Sequence, residues 1–156
     1  MPWAGHCVTL YSEERMIRFF KACFVFLLPI FVMAACANAK APSVADLEHR
    51  RFVLASVDGV PFSASKTPDI AFTEGFRVSG QMCNRFMGQG LLDNGILKVS
   101  QMASTKIFCA DAALNSVEDM FSSMLMAGSE AEFAGNTLTL RQGGHVLVFM
   151  AADVTR

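Results

Sequence analysis

The chain has 156 residues, with 13 Lys and Arg against 14 Asp and Glu, and 53% of its residues are apolar. This length allows one domain of ordinary size together with short accessory segments. The charge is nearly balanced and no stripe of Lys and Arg is present, which excludes the electrostatic footprint of a nucleic-acid-binding protein.

The apolar excess is concentrated in residues 22–35, ACFVFLLPIFVMAA, which follow Arg18 and Lys21. A basic start, a short apolar segment and small residues at its end are the layout of a secretory signal peptide. The segment is shorter than the ~20 apolar residues that a membrane-spanning helix needs. Because Met16 begins a normal signal segment, we interpret residues 1–15 as an upstream extension and residues 16–35 as the signal peptide.

Cys36 follows Met33, Ala34 and Ala35, and this sequence resembles a bacterial lipobox, whose cysteine receives diacylglycerol and becomes the new N-terminus. The alternative is an ordinary cleaved signal with an incidental cysteine. The next residue is alanine rather than the aspartate linked to inner-membrane retention. We therefore predict an outer-membrane lipoprotein that faces the periplasm, anchored by lipid on Cys36, with residues 36–46 as a small, polar tether.

Two cysteines remain once the leader and the lipidated position are set aside. Cleavage removes Cys7 and Cys23, lipid occupies Cys36, and Cys83 and Cys109 are left. In an oxidising compartment the simplest prediction is one disulfide between them. Two separate buried thiols or a redox-active pair are the alternatives, although the C-x-x-C spacing of redox motifs is missing.

The first half of the domain, from about residue 47, has the pattern of short strands separated by turns. Strand-like runs occupy residues 51–57, 60–62, 70–72 and 76–79. Pro61 argues against a central strand at the second run. The third and fourth runs are predicted to form a hairpin around residues 73–75.

Residues 80–90, GQMCNRFMGQG, are the most unusual stretch of the chain. Three glycines lie in an apolar, strand-like neighbourhood. This pattern predicts a backbone that bends sharply and presents Cys83, Asn84 and Arg85 at the bend.

The second half begins with the strongest hairpin signal of the chain, Asn94-Gly95 between apolar runs at residues 91–92 and 96–99. A helical period then replaces the alternating one over residues 111–127, with Asp111 as the predicted cap and Gly128 as the end. The apolar residues at helical spacing are Leu114, Val117, Phe121, Met124 and Leu125. Residues 131–133, 137–140 and 145–149 return to strand patterns, with turns at 135–136 and 143–144.

These elements predict a mostly β (α+β) domain over residues 47–156. The expected architecture is a small antiparallel, curled or barrel-like sheet of about seven or eight strands, with one amphipathic helix at about 111–127 that covers its open side or end. The residues expected to line the barrel are Phe72, Phe86, Leu92, Phe133 and Phe149. They close on one another if the domain is a packed binding module, and surround a cavity of about 300 Å³ or more if it binds a small ligand.

Four short motifs carry a resemblance to a known family: RRFVL at 50–54, SGQMCNRF at 79–86, DNG at 93–95 and TKIFC at 105–109. Over about residues 49–153 the chain is similar to the META domain family, and within it to heat-shock lipoproteins of the HslJ type. Two positions differ, since Met82 replaces a common glycine before the Cys-Asn pair, and Lys106 replaces an arginine. Lysine offers a point charge in place of a planar fork, so bidentate recognition at this position is weakened.

The resemblance implies a lipocalin-like small barrel in the bacterial envelope, linked to heat and antibiotic stress, without an established reaction. If Cys83 and Cys109 are joined, Arg85 and Lys106 lie near one another and form a small basic spot. Together with Asn84 they are the candidate binding residues. The alternatives are that Asn84 is a turn residue and that Arg85 forms an ion pair that fastens the loop to a neighbouring strand.

Enzyme and metal signatures are weak. His49 and His145 are the only histidines after the predicted leader, and neither has the spacing of a catalytic triad or a zinc site. We therefore predict no catalytic residue, no metal and no cofactor.

Three functions follow from these observations. The first is a non-catalytic envelope lipoprotein that acts as a binding module with an envelope protein or a peptidoglycan-proximal assembly as its partner. The second is a barrel that binds a small apolar ligand. The third is an inhibitor whose CNRF loop inserts into an envelope enzyme.

Overall fold

The computed structural model describes residues 40–152. The predicted upstream extension, the signal peptide and Cys36 lie outside these residues. A short 3-10 helix, Glu74–Phe76, lies between the third and fourth strands. The other elements in chain order are α1 (Val44–Leu47), β1 (Arg51–Val57), β2 (Val60–Pro61), β3 (Asp69–Thr73), β4 (Arg77–Gln81), β5 (Arg85–Asp93), β6 (Ile96–Ser104), α2 (Ala112–Ala127), β7 (Ser129–Ala134), β8 (Thr137–Gln142) and β9 (His145–Ala151).

Eight of the strands form a closed antiparallel barrel. Neighbouring strands pair in the order β1, β3, β4, β5, β6, β7, β8, β9, and β9 pairs back onto β1, for example Leu54 with Phe149. β2 pairs with β1 alone through two residue pairs, as expected for a strand that contains Pro61. The predicted fold class is confirmed.

Helix α2 has the predicted bounds. The Oδ1 atom of Asp111 accepts hydrogen bonds from the amides of Ala113 (3.0 Å) and Leu114 (3.3 Å), and Gly128, at φ 105°, follows the last helical residue. The five predicted apolar positions are all buried. Within residues 40–152, neither α1 nor α2 is long and apolar enough to cross a membrane.

The interior of the barrel is filled by aromatic side chains in mutual contact. The ring of Phe121 on α2 lies 5.1 Å from that of Phe86 and 6.0 Å from that of Phe149, centroid to centroid. Phe52 makes edge-to-face contacts with Phe72 and Phe133. The predicted barrel-lining residues therefore belong to the core, with Leu92 and Phe133 at its partly buried margin.

The chain bends at residues 82–84, as predicted for Cys83 and Asn84, but the glycines at 80, 88 and 90 do not form this bend. Gly80 lies in β4, and Gly88 and Gly90 lie in β5. A Cβ atom on Gly90 would lie 2.7 Å from the carbonyl oxygen of Phe76, and one on Gly80 would overlap the carbonyl of Asp69. These glycines are required because neighbouring groups approach the strands closely, not because the backbone bends there.

The stretch predicted as a tether is docked on the barrel from Lys40 onward. The amide of Phe133 donates a hydrogen bond to the carbonyl oxygen of Lys40 at 3.1 Å, and Pro42 and Leu47 are buried. Small, polar composition predicted a free segment here, but these two apolar side chains hold it on the domain. Residues 36–39 of the predicted tether lie outside the described residues.

The barrel has two distinct ends, which lie at opposite ends of the β5–β6 hairpin. At one end, the turn at Asn94 and Gly95 lies beside Ala41, whose Cβ atom would be 3.0 Å from a Cβ on Gly95. We call this the hairpin end. At the other end, the turn at residues 82–84 meets residues 105–111, and we call this the stapled end. Nine residues of β5 separate the two, a length of about 30 Å at ~3.4 Å per residue.

Candidate functional site

The stapled end contains the predicted disulfide. Cys83, in the turn between β4 and β5, is bonded to Cys109, in the segment that follows β6, with their Cα atoms 6.0 Å apart. Cys83 is buried. The bond therefore fixes a segment without regular secondary structure to the end of the barrel.

Asn84 forms a second link between the same two segments and α2. Its Oδ1 atom accepts hydrogen bonds from the Thr105 hydroxyl (2.9 Å) and the Ile107 amide (2.7 Å). Its backbone amide and its Nδ2 atom donate to the two carboxylate oxygens of Glu118, at 2.6 and 3.0 Å. The side chain is buried and holds the protein together, so Asn84 contributes to the site by positioning its neighbours.

Further hydrogen bonds fix the start and the end of the segment. The Thr105 amide donates to the Arg85 carbonyl at 3.0 Å, and the Arg85 amide donates to the Thr105 hydroxyl at 3.1 Å. Asn115 on α2 donates to the carbonyl of Cys109 at 2.8 Å. We call residues 105–111 the stapled loop, since it is fixed along its length although it is neither helix nor strand.

Two large apolar side chains of the stapled loop point away from the domain. Phe108 is 90% exposed and Ile107 is 68% exposed. An exposed phenylalanine on a fixed loop loses little conformational freedom when a partner covers it, so it is suited to be a contact residue.

Three cationic side chains lie on this loop or beside it. Lys66, Arg85 and Lys106 are exposed, and none of them has a carboxylate of residues 40–152 within ion-pair distance. The ion pair with a neighbouring strand that would have given Arg85 a purely structural role is therefore not found within these residues. The predicted proximity of Arg85 and Lys106 agrees with the backbone, because Lys106 directly follows the residue that pairs with Arg85.

Lys66 is a site residue that the sequence did not reveal. It belongs to the polar stretch between β2 and β3, and its neighbour Ser65 donates from its amide (3.0 Å) and its hydroxyl (2.9 Å) to Oδ2 of Asp111. A contact between residues 46 positions apart brings this cation to the stapled end. No local pattern signals such a contact.

A concavity of about 450 Å³ lies between these residues. Its rim carries the cations Lys66 and Arg85 and the apolar side chains of Ile107 and Phe108. The remaining lining residues are Ser65, Gln81, Cys83, Thr105, Cys109, Ala110, Asp111 and Leu114. Lys106 is exposed beside the concavity but does not line it.

Asp111 is the acidic residue of this lining. Hydrogen bonds from the amide and hydroxyl of Ser65, and then from the first amides of α2, lower the pKa of its carboxyl below the ordinary value of 3.8. Both of its oxygens accept these hydrogen bonds, so the charge faces the helix and the Ser65 loop. The lining therefore carries the positive charges of Lys66 and Arg85 and the single negative charge of Asp111.

His145 does not line the concavity at the stapled end. His145 begins β9, where its Nδ1 atom lies 2.9 Å from Asp58, and the amide of Val146 donates to the same carboxylate at 2.7 Å. These contacts lower the pKa of Asp58, chiefly through Val146 and then through His145. Among residues 40–152, no three His, Cys, Asp or Glu side chains are grouped as metal ligands would be.

Comparison with known proteins gives consistent results. The META domain model matches residues 45–154. Over 132 residues the chain is 38% identical to "Heat shock protein HslJ" of Escherichia coli (strain K12), which covers 83% of this chain and 94% of that protein. A structure solved by NMR superimposes with a TM-score of 0.68 at 38% identity, covering 74% of this chain and 99% of its own. A second NMR structure, of a protein from Burkholderia xenovorans, has a TM-score of 0.57 at 19% identity, with 77% and 96% coverage, and supports the fold alone.

Proposed function

The chain belongs to the META domain family and is a heat-shock-associated protein of the HslJ type, and we propose that it acts as a non-catalytic binding module of the bacterial envelope. In this proposal the stapled end is the binding surface. Its partner is a component of the envelope, either a protein or an assembly close to the peptidoglycan.

The observation that carries the proposal is a fixed loop with exposed apolar side chains, beside cations that have no ion-pair partner among residues 40–152. Phe108 and Ile107 stand outside the core although the disulfide and Asn84 hold the loop rigidly. Rigid aromatic and aliphatic contacts flanked by cations are the composition expected of a binding surface. The barrel interior, in contrast, is occupied by phenylalanine rings, which disfavours the alternative of a small apolar ligand held inside.

A role without catalysis agrees with how the polar groups of this end are used. The amide of Asn84, the carboxylate of Glu118 and the hydroxyl of Thr105 bond to one another or to backbone groups. A general acid or base has to reach a substrate proton. These three groups instead serve to hold the loop.

The proposed anchor gives the binding surface a direction. If lipid on Cys36 holds the protein to the outer membrane, only residues 37–39 separate the anchor from Lys40. Lys40 and Ala41 lie at the hairpin end, and the length of β5, about 30 Å, separates that end from the stapled end. The stapled loop then faces away from the membrane and into the periplasm.

A photo-crosslinking experiment tests this function. A photoreactive amino acid is placed at Ile107 in the full chain, and a matched one at Asn136, an exposed turn residue between β7 and β8. Crosslinks are formed in intact cells before and after heat stress and identified by mass spectrometry. We expect a specific envelope component to be captured from position 107 and not from position 136. The same crosslinks from both positions, or none from position 107, would contradict the proposal.

A second candidate function is supported by the same protruding ring. Loops held in a fixed conformation by a disulfide can enter the clefts of enzymes, and the stapled loop presents Phe108 in this way. An inhibitor differs from a general binding module because it forms a stoichiometric complex with one envelope enzyme and lowers its activity. If the component captured at position 107 is an enzyme, its activity is measured with and without the purified protein. Inhibition indicates the inhibitor, and unchanged activity indicates the general binding module.

A further inference from the structure

We propose that the concavity at the stapled end binds the carboxylate-bearing stem peptides of peptidoglycan. These are short peptides that contain both alanine residues and residues with free carboxylates. The inference deepens the proposed function and rests on it, since it takes the stapled end as the binding surface and the periplasm as its location.

The size of the concavity favours a short peptide over a protein surface. Its volume of about 450 Å³ falls within the range of ~300 to 1,000 Å³ typical of small-ligand sites. A stable protein interface, in contrast, covers ~800 Å² on each partner. Two to three residues of a stem peptide fill such a space, whereas a folded partner has to find most of its contact area elsewhere.

The charges of the rim match the carboxylates of the stem. Lys66 and Arg85 line the concavity and are not paired with carboxylates of residues 40–152. The guanidinium of Arg85 can donate two parallel hydrogen bonds to one carboxylate, and Lys66 supplies a point charge for a second. Asp111 contributes one negative charge to the lining, against the two positive charges of Lys66 and Arg85.

The apolar part of the lining matches the alanine residues of the stem peptide. Ile107 and Phe108 present aliphatic and aromatic surface beside the cations, and the buried Leu114 lies behind them. The methyl groups of alanine residues in the stem can cover this surface. Gln81 adds a side-chain amide that can bond to the peptide backbone.

The site is rigid before any ligand arrives. Cys83 and Cys109 join its two walls, and Asn84 fixes Thr105 and Ile107. Little ordering of the protein is then required on binding, so that even a small ligand can bind measurably. With the proposed lipid anchor at the hairpin end, the concavity opens on the side of the domain that faces the periplasm.

Co-sedimentation with purified peptidoglycan tests the inference. The purified full-length protein, in detergent, is mixed with isolated sacculi at low salt, and the fraction that sediments gives an apparent Kd. We expect Arg85→Glu and Lys66→Glu each to weaken binding about ten-fold, since each replaces an attraction with a repulsion. The matched control is Lys98→Glu, the same change at an exposed cation on β6 that is outside the concavity, for which we expect less than a two-fold effect.

Competition identifies the part of the sacculus that is bound. An amidase separates the stem peptides from the glycan strands, which then no longer sediment, so both products are added as competitors to intact sacculi. The released stems should displace the protein and the glycan strands should not. Displacement by the glycan strands and not by the stems would overturn the inference, and so would equal losses for Lys98→Glu and Arg85→Glu. Thermal melts show that each variant is folded, and unreactive Cys83 and Cys109 show that the disulfide is formed.

The outcomes also separate this inference from the proposed function. If the protein fails to bind sacculi while position 107 still captures one envelope protein in cells, the peptidoglycan assignment is wrong and the binding module stands. If neither sacculi nor a specific component is bound, both are wrong.

Discussion

The barrel interior and the stapled end are held together by different kinds of interaction. In the interior, apolar side chains such as Phe52 and Phe121 are removed from water, and their burial supplies the stability. At the stapled end, a disulfide and the hydrogen bonds of Asn84 hold the chain, while Ile107 and Phe108 remain exposed. A segment that is ordered without burying its own apolar residues keeps them available for a partner.

The largest expected effect is in the interior. Phe121→Ala removes a ring that contacts Phe86 and Phe149, and leaves a cavity. We expect a loss of about 3 to 5 kcal/mol in the free energy of unfolding, measured by chemical denaturation. The control is Met126→Ala on the exposed side of the same helix, which should change stability by no more than about 0.5 kcal/mol. Equal effects of the two substitutions would mean that α2 is not packed as described.

The second prediction concerns the disulfide that links the two segments of the stapled end. Cys109→Ser opens a loop between cysteines 26 positions apart, and the chain-entropy estimate of the loss is about 3.5 kcal/mol. Cys83→Ser should give the same loss, and a reductant should lower the unfolding free energy of the wild type to that of the variants. A wild-type protein that is insensitive to reductant while both variants are destabilised would contradict this explanation.

The third prediction concerns the side-chain hydrogen bonds of Asn84. Asn84→Ala leaves the amide of Ile107 without its acceptor and removes one of the two hydrogen bonds to Glu118, since the other comes from the backbone amide of residue 84. We expect a loss of about 2 kcal/mol in the free energy of unfolding. Asn115→Ala is the control, since it removes one exposed hydrogen bond to Cys109 and should cost about 1 kcal/mol or less. If Asn84→Ala is as mild as Asn115→Ala, the disulfide alone is sufficient to fix the loop.

The fourth prediction concerns the dependence of the free energy of unfolding on pH. Because the pKa of Asp111 is lowered in the folded state, its contribution to stability is fully present above the unfolded pKa of about 3.8 and is lost as the pH falls through the folded value. Asp111→Asn keeps a good helix cap but cannot titrate. The difference in unfolding free energy between wild type and this variant should therefore shrink as the pH falls below about 4. Parallel pH curves would show that Ser65 and the helix amides do not stabilise the charge.

Local sequence patterns predicted the barrel because they record burial directly. The alternation in β1 and the helical period of α2, with Asp111 and Gly128 at its two ends, gave those elements their observed bounds. The glycines of β4 and β5 were misinterpreted, since a glycine needed for close packing looks the same in sequence as one needed for a bend. Turn signals depend on neighbouring residues alone, whereas close packing depends on a strand elsewhere in the chain.

The site was predicted in part for the same reason. Two cysteines in an expected oxidising compartment were enough to predict the disulfide. Glu118 lies 34 positions from Asn84, and Lys66 reaches the site through the contact of Ser65 with Asp111. Such long-range polar contacts follow from the completed fold and leave no periodic signal in the sequence.

The smallest expected effect on stability is that of Phe108→Ala. It deletes the same ring as Phe121→Ala, but from a side chain that is 90% exposed, so the free energy of unfolding should change by less than about 0.5 kcal/mol. Binding to sacculi should nevertheless weaken several-fold, because the apolar wall of the concavity is lost. If instead Phe108→Ala destabilised the protein as strongly as Phe121→Ala, the ring would have to pack against the domain in solution, and the main reason for assigning this end a partner would disappear.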